Sequence, residues 1–176
     1  MHLESAVHVN QEDRIFLSVF SNNKEKRKGF FIMANSDTIK LLKECDAGSK
    51  MAVTSIDDVM EYVSDDVLKA LLNESKKHHE KLGNDIHEAL NQFHESEKEP
   101  SMIAKGMSWM KTNIKLGMDD SDSVVAELIT DGCDMGVKSL YQYLNDYDDA
   151  DHEAKALCKR LIGIEEDLRK ELRKYL

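Results

Sequence analysis

Apolar residues recur three and four positions apart through four long stretches of this chain, and that spacing leaves little choice but amphipathic helices. Over residues 36–63 the series Leu41, Cys45, Gly48, Ala52, Ile56, Val59 and Val63 falls on one helical stripe. Ser64 and Asp65 are suited to capping a second helix, whose stripe runs Leu68, Leu71, Ser75, His79, Leu82, Ile86, Ala89 and Phe93 until residues 97–101 break it around Pro100. A shorter segment, 102–116, carries Ile103, Met107, Met110 and Ile114 and stops at Gly117. It is expected as an extra short helix between helices two and three. The capping side chains of 119–123 precede helix three, with Val125, Leu128, Gly132, Val137, Leu140 and Leu144, and the acidic turn 145–151 ends it. Helix four has the most regular stripe: Leu157, Leu161, Ile164, Leu168, Leu172 and Tyr175.

Helices of about 25 residues are roughly 38 Å long, and four of them with one apolar stripe each bury those stripes by facing one another. The expected fold is therefore all-α, an antiparallel four-helix bundle. The connections at 63–66 and 145–151 are short enough for antiparallel neighbours, while the stretch between helices two and three is long enough for a crossover. A composition of 41% hydrophobic, 33% charged and 6% aromatic residues with a single proline disfavours a β-rich fold, and 176 residues suit one domain.

The net charge of −10 repels phosphate backbones and anionic headgroups, so neither nucleic acid nor a membrane surface is an expected partner. No run approaches the roughly 20 apolar residues that span a bilayer. Ile15 to Phe20 is too short for a secretory core and has no basic segment before it, so a cytoplasmic location is expected. The three cysteines, Cys45, Cys133 and Cys158, form no CxxC pair and suggest neither a disulfide framework nor a zinc knuckle. They read as small core hydrophobes.

Residues 1–32 stand apart. They carry five basic and four acidic residues, against 19 and 30 in residues 33–176, and hold only a short apolar run without helical period and a polar run at 21–29. Arg27, Lys28 and Gly29 are encodable by a purine-rich AGG-AAA-GGA shortly before the Met33 codon, as a translated ribosome-binding site would be. Two readings stand, an upstream leader carried into the frame or a disordered N-terminal arm, and the gene's nucleotides decide between them. Residues 33–176 are the bundle domain.

Glycine lies inside every long helix, at Gly48, Gly83, Gly132, Gly136 and Gly163, although each costs roughly 0.5–1 kcal/mol relative to alanine. Close helix approach, or room for a bulky neighbour such as Trp109 or Tyr141, is the expected compensation.

The stretches LLKECDAGSKM in helix one, LKALLNESKKHHEKL in helix two, SMIAKGMSWMKTNIKLG in the connector, and ITDGCDMGVKSLYQYL and CKRLIGIEEDLRKEL in helices three and four resemble the ferritin-like superfamily, in an uncharacterised bacterial branch of four-helix-bundle domains. The resemblance covers nearly all of residues 37–176. It implies a ferritin-like bundle that often associates through helix faces, and fold alone does not fix an activity. Iron-handling bundles of this kind supply a Glu from each of two helices and Glu-x-x-His from each of the others. The candidate metal ligands here are Glu44 on helix one, Glu74 and His78 on helix two, Asp131 and Asp134 on helix three, and Glu165 on helix four. Glu74 and His78 are four apart instead of three, and Leu168 stands three after Glu165, so full di-iron ligation is not expected. The competing reading makes Glu74 and His78 an ordinary i, i+4 pair on a solvated face, and His79 a partly buried stripe histidine with a hydrogen bond.

No GxGxxG, P-loop, nucleophile elbow or triad spacing occurs, which disfavours nucleotide and hydrolase chemistries. Two functions are expected as alternatives. The favoured one is a non-enzymatic bundle that forms a homodimer or docks on a protein partner, with no cofactor. The other is a divergent metalloprotein binding iron or another transition metal in its core.

Overall fold

The computed structural model describes residues 36–93 and 121–176, which are helical with no strand among them. Four long helices account for them: α1 at 36–59, α2 at Asp66–Asn91, α3 at Ser121–Asp146 and α4 at His152–Leu172. The expected short helix at 102–116 and the separate segment 1–32 lie outside the described residues. No helix among the described residues is long and apolar enough to cross a membrane.

Helix α1 stops four residues short of the expected 63. The chain tightens into a 3-10 turn at Met60–Tyr62, and Val63 is extended, its N–H donating to the Met60 carbonyl at 3.4 Å. Asp65 then caps α2 by accepting from the Leu68 N–H at 2.7 Å, which answers one of the unpaired donors of a helix start. Asp151 does the same for α4, accepting from Ala154 N–H at 2.8 Å.

Side chains near the caps also fix which ends meet. The Asp122 carboxylate at the start of α3 accepts from the backbone N–H groups of Ser64 at 2.7 Å and Asp65 at 3.0 Å. The Tyr175 hydroxyl, just past α4, donates to Asp65 at 3.0 Å. That hydrogen bond and the Leu68 N–H hold the Asp65 carboxyl below its ordinary value, the backbone donor counting most. At the opposite end, the Asp151 N–H donates to Thr38 Oγ1 at 2.8 Å, tying the start of α4 to the start of α1.

The core divides into two apolar clusters. One gathers Leu41, Leu42 and Cys45 from α1, Leu82, Ile86 and Leu90 from α2, Leu140 from α3, and Leu157, Cys158 and Leu161 from α4. The other gathers Ile56 and Val59, Leu68 and Leu72, Val125, Ile129 and Cys133, and Leu168 and Leu172. The first holds the starts of α1 and α4 with the ends of α2 and α3, and the second holds the reverse. Helices α1 and α4 therefore run one way and α2 and α3 the other.

The buried seams keep a four-three alternation, but in a phase shifted from the expected stripe at four places. On α1 the seam residue is Ser49, with Gly48 only half-buried. On α2 it is Leu72, with Leu71 beside it, and on α4 it is Glu165, with Ile164 on the flank. Counting Leu161, Glu165, Leu168 and Leu172 at spacings of four, three and four places the carboxylate inward, as a heptad seam requires. On α3 the seam residue is Cys133, with Gly132 exposed, while Val137 and Leu144 are half-buried.

Candidate functional site: a polar layer between two apolar clusters

Where the two clusters meet, all four helices contribute polar or small groups. His79 on α2 is fully buried, and its Nδ1 lies 2.9 Å from the Ser75 carbonyl one turn earlier. That carbonyl can only accept, so the ring donates from Nδ1, with the Ser75 hydroxyl a longer neighbour at 3.5 Å. The ring's Nε2 then faces Glu165 Oε1 of α4 at 3.3 Å. From α1, the Ser49 hydroxyl donates to the backbone carbonyl of His79 at 2.7 Å. From α3, Cys133 is in side-chain hydrogen-bond contact with Glu165, and burial, reinforced by that carboxylate, raises its thiol far above the ordinary value.

Gly83 makes room for this layer, and Gly136 lies beside it with space for an ordinary contact. A Cβ at Gly83 would lie 3.1 Å from Ser49 Oγ, and one at Gly136 would lie 3.5 Å from Glu165 Oε1. The compensation for helical glycine at Gly83 is close approach, and the neighbours at the two positions are a serine and a glutamate instead of an aromatic ring.

The six candidate ligands do not meet. Glu165 is buried against His79, Glu44 is half-buried, and Glu74, His78, Asp131 and Asp134 are exposed. Asp134 pairs with Arg169 of α4. Glu74 and His78 share a helix face as their spacing says, but the face one position further round, Ser75 and His79, is the one turned inward. Of the six, only Glu165 lies inside, where it meets His79 and Cys133, and His79 is already bonded to the Ser75 carbonyl. The residues present therefore do not fit a two-metal centre. Among the described residues, three carboxylates come within 4.8 Å of one another only at Asp37, Asp148 and Asp149, a partly solvated corner where Lys40 reaches Asp37 at 3.2 Å.

The spacing places His79 on the stripe with a hydrogen bond; the structure adds that the ring is fully buried and that it faces Glu165, whose inward position the spacing missed.

A second buried pair lies in the first cluster. Cys45 on α1 and Cys158 on α4 are both fully buried and in hydrogen-bond contact through their thiols. The Cys158 thiol in turn approaches the Leu140 carbonyl at 3.8 Å. Their hydrogen bond raises Cys45, the donor, well above its ordinary value and lowers Cys158, the acceptor.

Among the described residues, the large apolar side chains exposed on the outside are Val67, Leu176, and two on α3, Met135 at 64% and Tyr141 at 49%. No protein-family model, curated protein or solved structure matches the chain.

Proposed function

We propose that the chain is a ferritin-like four-helix bundle, two antiparallel helix pairs joined by a long crossover, and that it acts as a non-enzymatic module pairing with a second copy of itself. The order of the helix ends supports the architecture. Helix α2 ends in the first cluster and α3 begins in the second, so the two point the same way, as in the one-crossover topology of ferritin-like folds. The interior favours a role outside the core: the six buried polar residues among those described, Thr38, Asp46, Ser49, Ser75, His79 and Glu165, are each bonded to another group of the chain, although the half-buried Thr130 keeps a sealed hydroxyl oxygen with no hydrogen-bond partner.

The observation that carries the association is the exposure of Met135 and Tyr141 along α3. Methionine and tyrosine are enriched in interface cores, where a flexible thioether and an amphipathic ring both add contact area. Sedimentation equilibrium on the full chain tests it. A dimer is expected, with Met135→Glu together with Tyr141→Lys returning it to monomer while the helical circular dichroism is unchanged. A wild-type protein that stays monomeric up to its solubility limit overturns the proposal.

The meeting of His79 and Glu165 in the interior favours a second reading, a divergent protein binding iron or another transition metal. Stoichiometric metal in protein purified without a histidine tag, lost on Glu165→Gln, would select it over the module.

A further inference from the structure

Thr38 and Asp151 are 113 positions apart and joined by a hydrogen bond. The same offset relates Gly48 to Leu161, whose Cδ2 lies 3.7 Å from where a Gly48 Cβ would be. It also relates Val59 to Leu172, both fully buried in the second cluster. Helices α1 and α4 are thus parallel and in register over their full length, and two turns beyond Thr38 and Asp151 the register sets Cys45 opposite Cys158. Cys133, the third thiol, belongs to the other cluster. The pairing comes from helix register, so it persists in any state that keeps α1 against α4.

We propose that Cys45 and Cys158 form a latent disulfide site, closed by a peroxide oxidant, that locks α1 to α4. The register sets the two residues at matching positions on parallel helices within one apolar cluster, the placement that a sulfur–sulfur bond of about 2.05 Å requires. In the first step the Cys158 sulfur attacks hydrogen peroxide, giving the sulfenic acid and one water. In the second, the Cys45 sulfur attacks the Cys158 sulfur, the S–S bond forms, and the sulfenic oxygen leaves as a second water with the Cys45 proton. Cys158 is the first nucleophile because accepting a hydrogen bond from Cys45 eases its ionisation. Both thiols are sealed in the core, so the rate is set by local opening of the helix ends around Thr38 and Asp151.

Peptide mapping of the full chain after hydrogen peroxide treatment tests this. The expected product is an intramolecular Cys45–Cys158 disulfide, with two of the three thiols lost to alkylation and Cys133 still free. Closing a loop of about 110 residues should raise the unfolding midpoint by about 10 °C, reversed by dithiothreitol. Cys133→Ser should leave the reaction intact, and Cys158→Ser should abolish it. Peroxide-treated wild-type protein that retains three free thiols, forms sulfinic acid at Cys158 without a disulfide, or cross-links between chains overturns the proposal.

Discussion

Removing the imidazole of His79 would leave the Glu165 carboxyl buried with only the Cys133 thiol as a neighbouring donor, while the Ser75 carbonyl would lose its ring donor. Breaking one side of a buried hydrogen-bonded pair costs about 1–3 kcal/mol, because the survivor keeps its desolvation without compensation. His79→Ala should therefore lower stability by about that amount in urea unfolding. Replacing both members, His79→Leu with Glu165→Leu, should recover most of the loss or exceed the wild type, since a packed apolar pair avoids the desolvation altogether. A single variant costing under about 1 kcal/mol would mean the contact is not the tie between α2 and α4. The Ser49 bond goes to the backbone of residue 79 and survives either change, so it does not confound the comparison.

At the level of the helices, the glycines divide by what surrounds them. Nothing lies within 4 Å of where a Cβ would sit at Gly132 or Gly163, so alanine there gains helix propensity without crowding. Each of Gly132→Ala and Gly163→Ala should add about 0.5–1 kcal/mol, read as a rise of about 2–4 °C in thermal midpoint, whereas Gly83→Ala should lack that gain because its methyl presses on Ser49. Helix existence and order were legible for the described residues because apolar spacing is a local property of the chain. The phase of the seams was less so. A reading by hydrophobicity moves to the nearest apolar residue when the true seam position is polar, which is how Gly48 stood for Ser49 and Ile164 for Glu165. What holds Glu165 inward is His79, 86 positions away on another helix, and nothing near Glu165 in the sequence announces it. The same limit explains Glu74 and His78: their spacing states that they share a face, but only packing states that the face looks outward.

For the molecule as a whole, the proposed pairing joins two chains that each carry a net charge of −10. Like-charged protomers repel over distances longer than the contact itself, and that repulsion opposes whatever area Met135 and Tyr141 bury. Salt screens the repulsion, with a Debye length shrinking from about 30 Å at 0.01 M to about 10 Å at 0.1 M, and leaves apolar burial nearly untouched. The dimer should consequently tighten as sodium chloride is raised from about 0.01 M to about 0.3 M, followed as a falling dissociation constant in sedimentation equilibrium. A contact built on ion pairs predicts the opposite slope, because screening would weaken the attraction instead. The sign of the salt dependence thus separates an apolar α3 interface from one made through charged surfaces such as the Asp37, Asp148 and Asp149 corner. Loss of the dimer at high salt would place the contact away from Met135 and Tyr141.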